Sequence, residues 1–313
     1  MKKNPFLVFL LLIFVFGSIF VFLLSSSAIS LFGGSAVKVT STNSILHLHL
    51  EGVIMDGKKI LKPLIKYRKD KNVKAVVIEI NSPGGVVGPS QEIYEEIKKV
   101  REVYKKPVVA VSTSLIASGA FYADVGADKI VVAPGTLIGS IGVIMEFLNL
   151  EKLYDWAKIS RYSITTGKFK DSGSEYRQLR EDERAYFQSL ANSTLGQFKS
   201  AVAKGRNLKE EAVDAVADGR VFNGEQAIEL GLADQLGTVE DSFDVAAELA
   251  GIKNDYEIFE PPKTRPGIIE ILMGEHEEDD YSTKASGWME KAVRAVARPE
   301  LKNRMLFMMP GAW

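Results

Sequence analysis

Residues 73–80 restrict the fold of this chain more than any other segment. They are β-branched and almost continuously apolar, which is typical of a strand buried on both faces of a parallel sheet. The turn residues Asn-Ser-Pro-Gly-Gly follow at 81–85, and apolar residues at helical spacing then run from residue 90 to about residue 106. Pro107 ends this predicted helix. A strand, a turn and a helix in this order predict one unit of a β-α-β fold.

The same alternation continues on both sides of this unit. Further strands are predicted at residues 45–50, 108–111 and 129–133. Further helices are predicted to open at residues 116–120 and to cover residues 177–206, 210–217, 227–232 and 241–250. This order predicts an α/β fold with a mostly parallel β-sheet core, flanking helices and right-handed connections.

The N-terminal segment predicts a membrane anchor. Residues 6–24 are apolar at all but two positions, and about 20 such residues span a hydrocarbon core of roughly 30 Å. Lys2 and Lys3 precede the span, and no Lys or Arg follows it before Lys38. The positive-inside rule then keeps residues 1–5 in the cytoplasm and sends the rest of the chain across the membrane.

A cleaved signal peptide, with small residues at 28–30, is the alternative for this segment. Signal peptides have apolar regions of about 7–15 residues, so the longer run favours an uncleaved anchor. Three prolines between residues 261 and 266 indicate a linker after the last core helix. The predicted parts are the cytoplasmic N-terminus (1–5), the anchor (6–24), a tether (25–44), one domain (45–253), and a linker with a C-terminal segment of unassigned role (254–313).

Composition excludes several kinds of site. The chain has no cysteine and three histidines, so it has no disulfide and no cysteine nucleophile. No histidine pair has the spacing of a helical zinc site, and neither a metal nor a cofactor is predicted. His47 and His49 are predicted to share one face of a strand and to be more exposed than its leucines. Lys and Arg number 39 and Asp and Glu 40, which argues against a nucleic-acid partner.

Catalytic side chains are expected beyond the carboxyl ends of the parallel strands. Ser118 is predicted to begin a helix directly after a strand, with Gly119 leaving an N–H open to a bound carbonyl. Such a serine serves either as a nucleophile or as an ordinary helix N-cap. Gly85 supplies either a second oxyanion donor or an ordinary strand-to-helix turn. With histidine scarce, a lysine kept neutral by burial is the natural base, and both Lys168 and Lys170 lie in a polar loop.

Several of these motifs, taken together, resemble the short form of the signal peptide peptidase A family. The matching segments are Asn-Ser-Pro-Gly-Gly (81–85), Ala-Ser-Gly-Ala-Phe-Tyr (117–122), Gly-Ser-Ile-Gly (139–142), Gly-Lys-Phe-Lys (167–170), and residues 218–224 with 231–234. The resemblance covers about residues 45–251. The family is a Ser–Lys protease group with the fold of the Clp protease proteolytic subunit and of crotonases. It often has Gly where Ala120 stands, a mild departure.

The resemblance implies a role for each matching residue. It makes Ser118 the nucleophile, Lys170 the general base and Ser140 the residue that orients the lysine, while Gly85 and Gly119 form the oxyanion hole. It also implies a homo-oligomeric ring in which neighbouring subunits share each active site. The expected substrates are cleaved signal peptides and other hydrophobic or unfolded peptides at the extracytoplasmic face of a bacterial cytoplasmic membrane.

Three other functions remain open at this point. The first is a crotonase-like acyl-CoA enzyme, against which export argues. The second is a catalytically inactive membrane scaffold, and the third is a hydrolase that uses His47 or His49. A further hypothesis concerns the methionine-rich residues 305–309, which are expected to pack on a neighbouring subunit or to occupy an apolar groove beside Ser118.

Overall fold

The computed structural model describes residues 41–253 and 255–262, together with the backbone of residues 306–308. The predicted anchor at 6–24 and most of the C-terminal segment lie outside the described residues. Within the described part of the chain, no helix is long and apolar enough to cross a membrane.

Short strands alternate with helices along the described chain. The strands are β1 (Ser44–Glu51), β2 (Val73–Asn81), β3 (Gly84–Val86), β4 (Val108–Ser112), β5 (Leu115–Ala117), β6 (Lys129–Val132), β7 (Leu137–Gly139), β8 (Val221–Phe222), β9 (Gln235–Leu236), β10 (Glu257–Phe259) and β11 (Leu306–Met308). The helices are α1 (Lys58–Tyr67), α2 (Val87–Glu102), α3 (Gly119–Asp124), α4 (Glu151–Ala157), α5 (Glu181–Arg206), α6 (Glu210–Asp214), α7 (Gly224–Glu229) and α8 (Val239–Ala250).

Six strands form the main sheet in the order β10-β1-β2-β4-β6-β9. Every neighbouring pair in it is parallel, which confirms the predicted α/β fold. Alternate residues of each strand face opposite sides of a sheet. On one side, Ala75, Val77 and Val109 pack against Phe243 and neighbouring residues of α8. On the other side, the sheet packs on a larger apolar cluster that includes residues of α1, α2, α3 and α5.

Two small sheets continue from the carboxyl ends of the main strands. β5, β7 and β8 form one of them, and β3 pairs antiparallel with β11 to form the other. β3 follows β2 after a two-residue turn, and β5 follows β4 after two residues. The ends of β2 and β4 therefore lead directly into the strands that carry the candidate catalytic residues.

Several element bounds differ from those the sequence predicts. Helix α2 begins at Val87 rather than at residue 90, because Pro89 is tolerated in the first turn of a helix. Helix α5 begins at Glu181 rather than at residue 177. Strand β10 lies inside the predicted linker, where it pairs with the first residues of β1. This pairing joins residues far apart in the chain, so local periodicity gives no sign of it.

Candidate active site

Ser118 occupies a strained junction between β5 and α3. Its backbone has φ 54° and ψ −114°, a conformation that residues other than glycine rarely adopt. Its side chain makes no capping hydrogen bond to the helix, so the N-cap alternative is wrong. The hydroxyl is buried and has no hydrogen-bond partner among the described residues. Strain of this kind costs about 1–3 kcal/mol and is concentrated at functional sites. The geometry favours a nucleophile over a helix cap.

Ser140 stands beside Ser118 in the same small sheet. Ala117 and Gly139 are register partners in the parallel pair β5–β7, so the two serines follow at equivalent positions. Ser140 is also buried and also has a positive φ, of 50°. The Ser118 N–H donates to the Gly139 carbonyl at 2.8 Å, and the Ser140 N–H donates to the Arg220 carbonyl at 2.9 Å. The structure thus places two serines with positive φ side by side.

The glycines of the predicted oxyanion hole lie on two elements. The Ser118 N–H already donates to a backbone carbonyl and is not available to a substrate. The next N–H along the chain belongs to Gly119, the first residue of α3. The first N–H groups of a helix have no partner within the helix. Gly85 lies in β3, where a Cβ atom would stand 2.1 Å from the carbonyl oxygen of Ile54. Only glycine fits at this position.

Backbone alternation directs the Gly85 N–H to the edge of β3 that faces away from Ile54. The residues on either side of Gly85 both bond Ile54: Ile54 N–H donates to the Gly84 carbonyl at 2.9 Å, and Val86 N–H donates to the Ile54 carbonyl at 2.8 Å. The polar groups of Gly85 itself therefore face the opposite edge. Strand β11 lies at that edge, with Phe307 opposite Gly85, and it also lies next to α3. A segment of the chain thus already runs antiparallel to β3 beside the candidate oxyanion donor.

Ser82 connects the glycine turn before β3 to strand β5, a role not predicted from its sequence motif. Its N–H donates to the Leu115 carbonyl at 2.9 Å, and its carbonyl accepts from the Ala117 N–H at 3.1 Å. Its hydroxyl donates to the Gly52 carbonyl at 2.7 Å and accepts from the Gly84 N–H at 3.2 Å. Ser82 is fully buried and fixes the glycine turn against the strand before Ser118. The sequence feature that could have indicated this role is a serine placed between an apolar strand and the turn residues Pro-Gly-Gly.

The two candidate lysines lie in different surroundings. Lys168 is largely exposed and forms an ion pair with Asp182 at 2.7 Å. Lys170 is exposed, and its N–H donates to the Gly167 carbonyl at 3.3 Å. Because the Ser118 hydroxyl has no partner among the described residues, Lys170 of the same chain does not hydrogen-bond to it. Both lysine side chains are exposed, so the single chain does not give either of them the burial that the sequence predicts for the base.

A buried carboxylate anchors the lysine loop. Arg177 donates to both oxygens of Glu183, at 2.6 and 2.9 Å, and to Asp171 at 3.2 Å. Ser172 donates to Glu183 at 3.1 Å, and the backbone N–H of Arg180 donates to it at 2.9 Å. The bond from Arg177 is the main reason that the pKa of Glu183 falls to about 2. The anchor fixes both ends of the turn that follows Lys170.

Lys106 and the two histidines of β1 do not belong to this site. Burial lowers the pKa of Lys106 to about 8, but its ammonium group donates to the carbonyls of Tyr67 and Asp70, before β2 and β4 begin. The candidate catalytic residues instead follow the carboxyl ends of these strands. His47 and His49 lie on the face of β1 that packs on α8, since His47 contacts the Phe243 ring at 5.0 Å. Helix α3 packs on the other face, which argues against a histidine-dependent hydrolase.

The fold and the site have the features of an enzyme of acyl transfer: a parallel α/β core, a buried serine at a strand-to-helix junction, and backbone N–H donors from two elements. Comparison with known proteins gives the class. The model of Peptidase family S49 matches residues 101–253. A putative protease of Synechocystis sp. is 42% identical over 231 residues, which are 72% of this chain and 82% of that protein.

Two further relatives agree. A putative protease of Methanocaldococcus jannaschii is 34% identical over 257 residues, 79% of this chain and 82% of that protein. A putative signal peptide peptidase SppA of Enterococcus faecium is 36% identical over 217 residues, 65% of this chain and 63% of that protein. This chain belongs to peptidase family S49 and is a protease of the signal peptide peptidase A type.

Proposed function

We propose that the protein is a membrane-anchored serine endopeptidase with a Ser118–Lys170 dyad. It cleaves signal-peptide remnants and other hydrophobic or unfolded peptides at the extracytoplasmic face of a bacterial cytoplasmic membrane, to which residues 6–24 anchor it. The observation that carries this proposal is the state of Ser118: a strained backbone, a buried hydroxyl with no partner among the described residues, and no capping bond. The relative named as a signal peptide peptidase supports the substrate class.

Each group has a defined role in the proposed mechanism. Lys170 takes the proton of the Ser118 hydroxyl as the serine oxygen attacks the scissile carbonyl. The N–H groups of Gly85 and Gly119 bind the oxyanion that forms, each contributing about 3 kcal/mol of transition-state stabilisation. Lys170 then protonates the leaving amine, and a water molecule activated by the same lysine releases the acyl-enzyme. Ser140 orients Lys170, and no metal or cofactor takes part.

A neighbouring subunit supplies the lysine in this proposal. Residues 142–172 contain no buried side chain, and several large apolar side chains among them are exposed. Trp156 is 80% exposed and Ile164 is 97% exposed. Soluble chains seldom leave so many large apolar groups uncovered over one segment without a partner. Because this segment lies between Ser140 and Lys170, its contact with a second copy would bring Lys170 to that copy's Ser118.

The substrate binds as an added strand in this proposal. The pairing of β11 with β3 supplies the pattern, since an extended peptide in that place would run antiparallel to β3 and cross the Gly85 N–H. Main-chain hydrogen bonds of this kind suit peptides of varied sequence. They therefore fit a protease that acts on many unfolded segments.

The first test is hydrolysis of casein by the purified full chain and by three variants. Ser118→Ala and Lys170→Ala abolish hydrolysis, whereas Lys168→Ala, the matched control in the same loop, retains most of it. Circular dichroism and light scattering check that fold and assembly are kept. Full activity of Ser118→Ala would refute the proposal, and full activity of Lys170→Ala would require another base. A serine-directed phosphonate should react with Ser118 of the wild-type chain. Absence of this reaction would favour an inactive scaffold.

A mixing experiment tests the shared site. Ser118→Ala and Lys170→Ala chains are dissociated, combined in equal amounts and reassembled. If each site takes its serine and its lysine from different subunits, about a quarter of the sites regain both groups, and about a quarter of the wild-type rate returns. If both groups come from one chain, no activity returns.

A further inference from the structure

Two histidines and two glutamates from three neighbouring strands meet on the α8 side of the main sheet. His47 and His49 are alternate residues of β1 and therefore share one face. Glu79 is the register partner of His49 on β2. Glu260 directly follows β10, which pairs with β1 on its other side. The two histidines thus stand between two carboxylates.

The ring of His47 is held more tightly than the sequence predicts. It is 5% exposed, against 0% for Leu46 and 4% for Leu48 beside it, while His49 is 40% exposed. His47 is thus almost as buried as the leucines beside it, and only His49 is clearly more exposed than they are. One ring nitrogen, Nδ1, lies 2.8 Å from Glu260 Oε1. The ring also packs edge-on against Phe243.

The other nitrogen of His47 has no hydrogen bond. His47 Nε2 is buried and lies 3.2 Å from Glu79 Oε2, but the geometry does not make a hydrogen bond. Nδ1 and Nε2 of His47 thus face one carboxylate each, and only the contact at Nδ1 is a hydrogen bond. An imidazole nitrogen and a carboxylate oxygen at this separation, with no hydrogen bond between them, suit two ligands of one cation. His49 Nδ1 lies 3.5 Å from the same carboxylate oxygen.

These separations suit ligands around one metal ion. Ligand atoms about 2.0–2.1 Å from a tetrahedral ion are about 3.3 Å apart, and the two separations on Glu79 Oε2 are 3.2 and 3.5 Å. One nitrogen of each histidine and an oxygen of Glu79 all lie within 4.8 Å of one another. A histidine ligand usually donates its second N–H to a carboxylate, as His47 does to Glu260.

We propose that His47, His49 and Glu79 bind a divalent transition-metal ion, with Glu260 orienting His47. Two imidazole nitrogens and a carboxylate oxygen match the preferences of Zn²⁺, whereas Mg²⁺ and Ca²⁺ prefer oxygen ligands alone. The partial exposure of His49 and Glu79 gives the ion a path from solvent, and water completes its coordination. The ion fixes β10 to β1 and β2, and so fixes the point where the chain leaves the core toward its C-terminus.

The sequence gives little sign of such a site. Two histidines at i and i+2 on a strand lack the helical spacing by which zinc sites are usually recognised. Glu79 and Glu260 join them only through strand pairing. The proposed ion lies on the opposite face of the sheet from α3, so it has a role in stability and is separate from the chemistry at Ser118.

The test is a measurement of Zn²⁺ binding by isothermal titration calorimetry, using the full chain after EDTA has removed any bound metal. The wild type is expected to bind one ion. His49→Ala and Glu79→Gln lose binding, and Glu260→Gln weakens it by about 10- to 100-fold. The matched controls are Glu51→Gln, at the exposed end of the same strand, and His276→Ala, which removes the third histidine. Both controls bind as the wild type does.

Thermal unfolding supplies a second measurement. Zn²⁺ at about a hundred times its Kd raises the wild-type Tm by roughly 5–10 °C and leaves the Tm of folded His49→Ala unchanged. Two results would overturn the proposal. One is the absence of Zn²⁺ binding by the wild type, which would mean that the four side chains interact with one another without a metal ion. The other is binding that persists in both His49→Ala and Glu79→Gln.

Discussion

Replacement of Glu183 by Gln tests whether the buried anchor positions the lysine loop. The carboxylate is fully buried at the start of α5 and accepts hydrogen bonds from Arg177, Ser172 and the Arg180 backbone. Its pKa is lowered from 4.5 to about 2, chiefly by Arg177. At about 1.4 kcal/mol per pKa unit, this shift corresponds to about 3 kcal/mol of stability at neutral pH.

The sign of the pH dependence follows from the lowered pKa. The stabilisation by Glu183 is fully present above pH 4.5 and is lost as the pH falls toward 2, because the unfolded chain then takes up a proton that the folded carboxylate resists. Urea denaturation at pH 7 should show Glu183→Gln less stable by about 3 kcal/mol. Between pH 4.5 and pH 2 the difference between wild type and variant should shrink toward zero.

Activity gives an independent measurement. Loss of the anchor frees the turn after Lys170, so casein hydrolysis by Glu183→Gln falls even where the chain is fully folded. Glu181→Gln is the matched control, since Glu181 lies in the same helical turn and is exposed. The reasoning is refuted if Glu183→Gln unfolds at the wild-type urea concentration, or if the stability difference does not depend on pH.

Four further predictions concern other parts of the molecule. Burial raises the pKa of Asp124 well above 3.8, so the wild type should lose stability relative to Asp124→Asn as the pH rises above 3.8, because the unfolded carboxyl then releases its proton before the folded one does; urea denaturation measures this, and a stability difference that does not change with pH would contradict it. Gly85→Ala should lower kcat on casein by about 10²- to 10³-fold because the added methyl group displaces the oxyanion donor, whereas Gly88→Ala, where a methyl group meets nothing within 4 Å, should not. Trp156→Ser should shift sedimentation toward smaller species and lower the activity with it, and unchanged assembly would remove Trp156 from the subunit contact. Truncation after Arg298 removes β11 and should lower the KM for an unfolded peptide; an unchanged KM would show that β11 does not compete with substrate.

The parallel α/β core is predictable from the sequence because buried strands and helices have recognisable patterns of apolar residues. A strand covered on both faces is apolar at nearly every position, as residues 73–80 are, and a helix against it is apolar at every third or fourth. The junction at Ser118 is also visible, since a small polar residue followed by glycine separates a strand from a helix. The sequence did not settle whether Ser118 caps that helix. The backbone conformation and the unbonded hydroxyl exclude the cap.

The tertiary structure decides how distant segments meet. Nothing local joins Glu260 to His47, β11 to β3, or Ser82 to the strand before Ser118, because each contact depends on which strands become neighbours. The sequence by itself determines the fold class, through the periodicity of buried side chains, and it supplies the serine, the glycines and the lysines of the site. Only the tertiary structure determines which of these groups are paired, strained or left without a partner, since that depends on atoms brought together by strand pairing and packing.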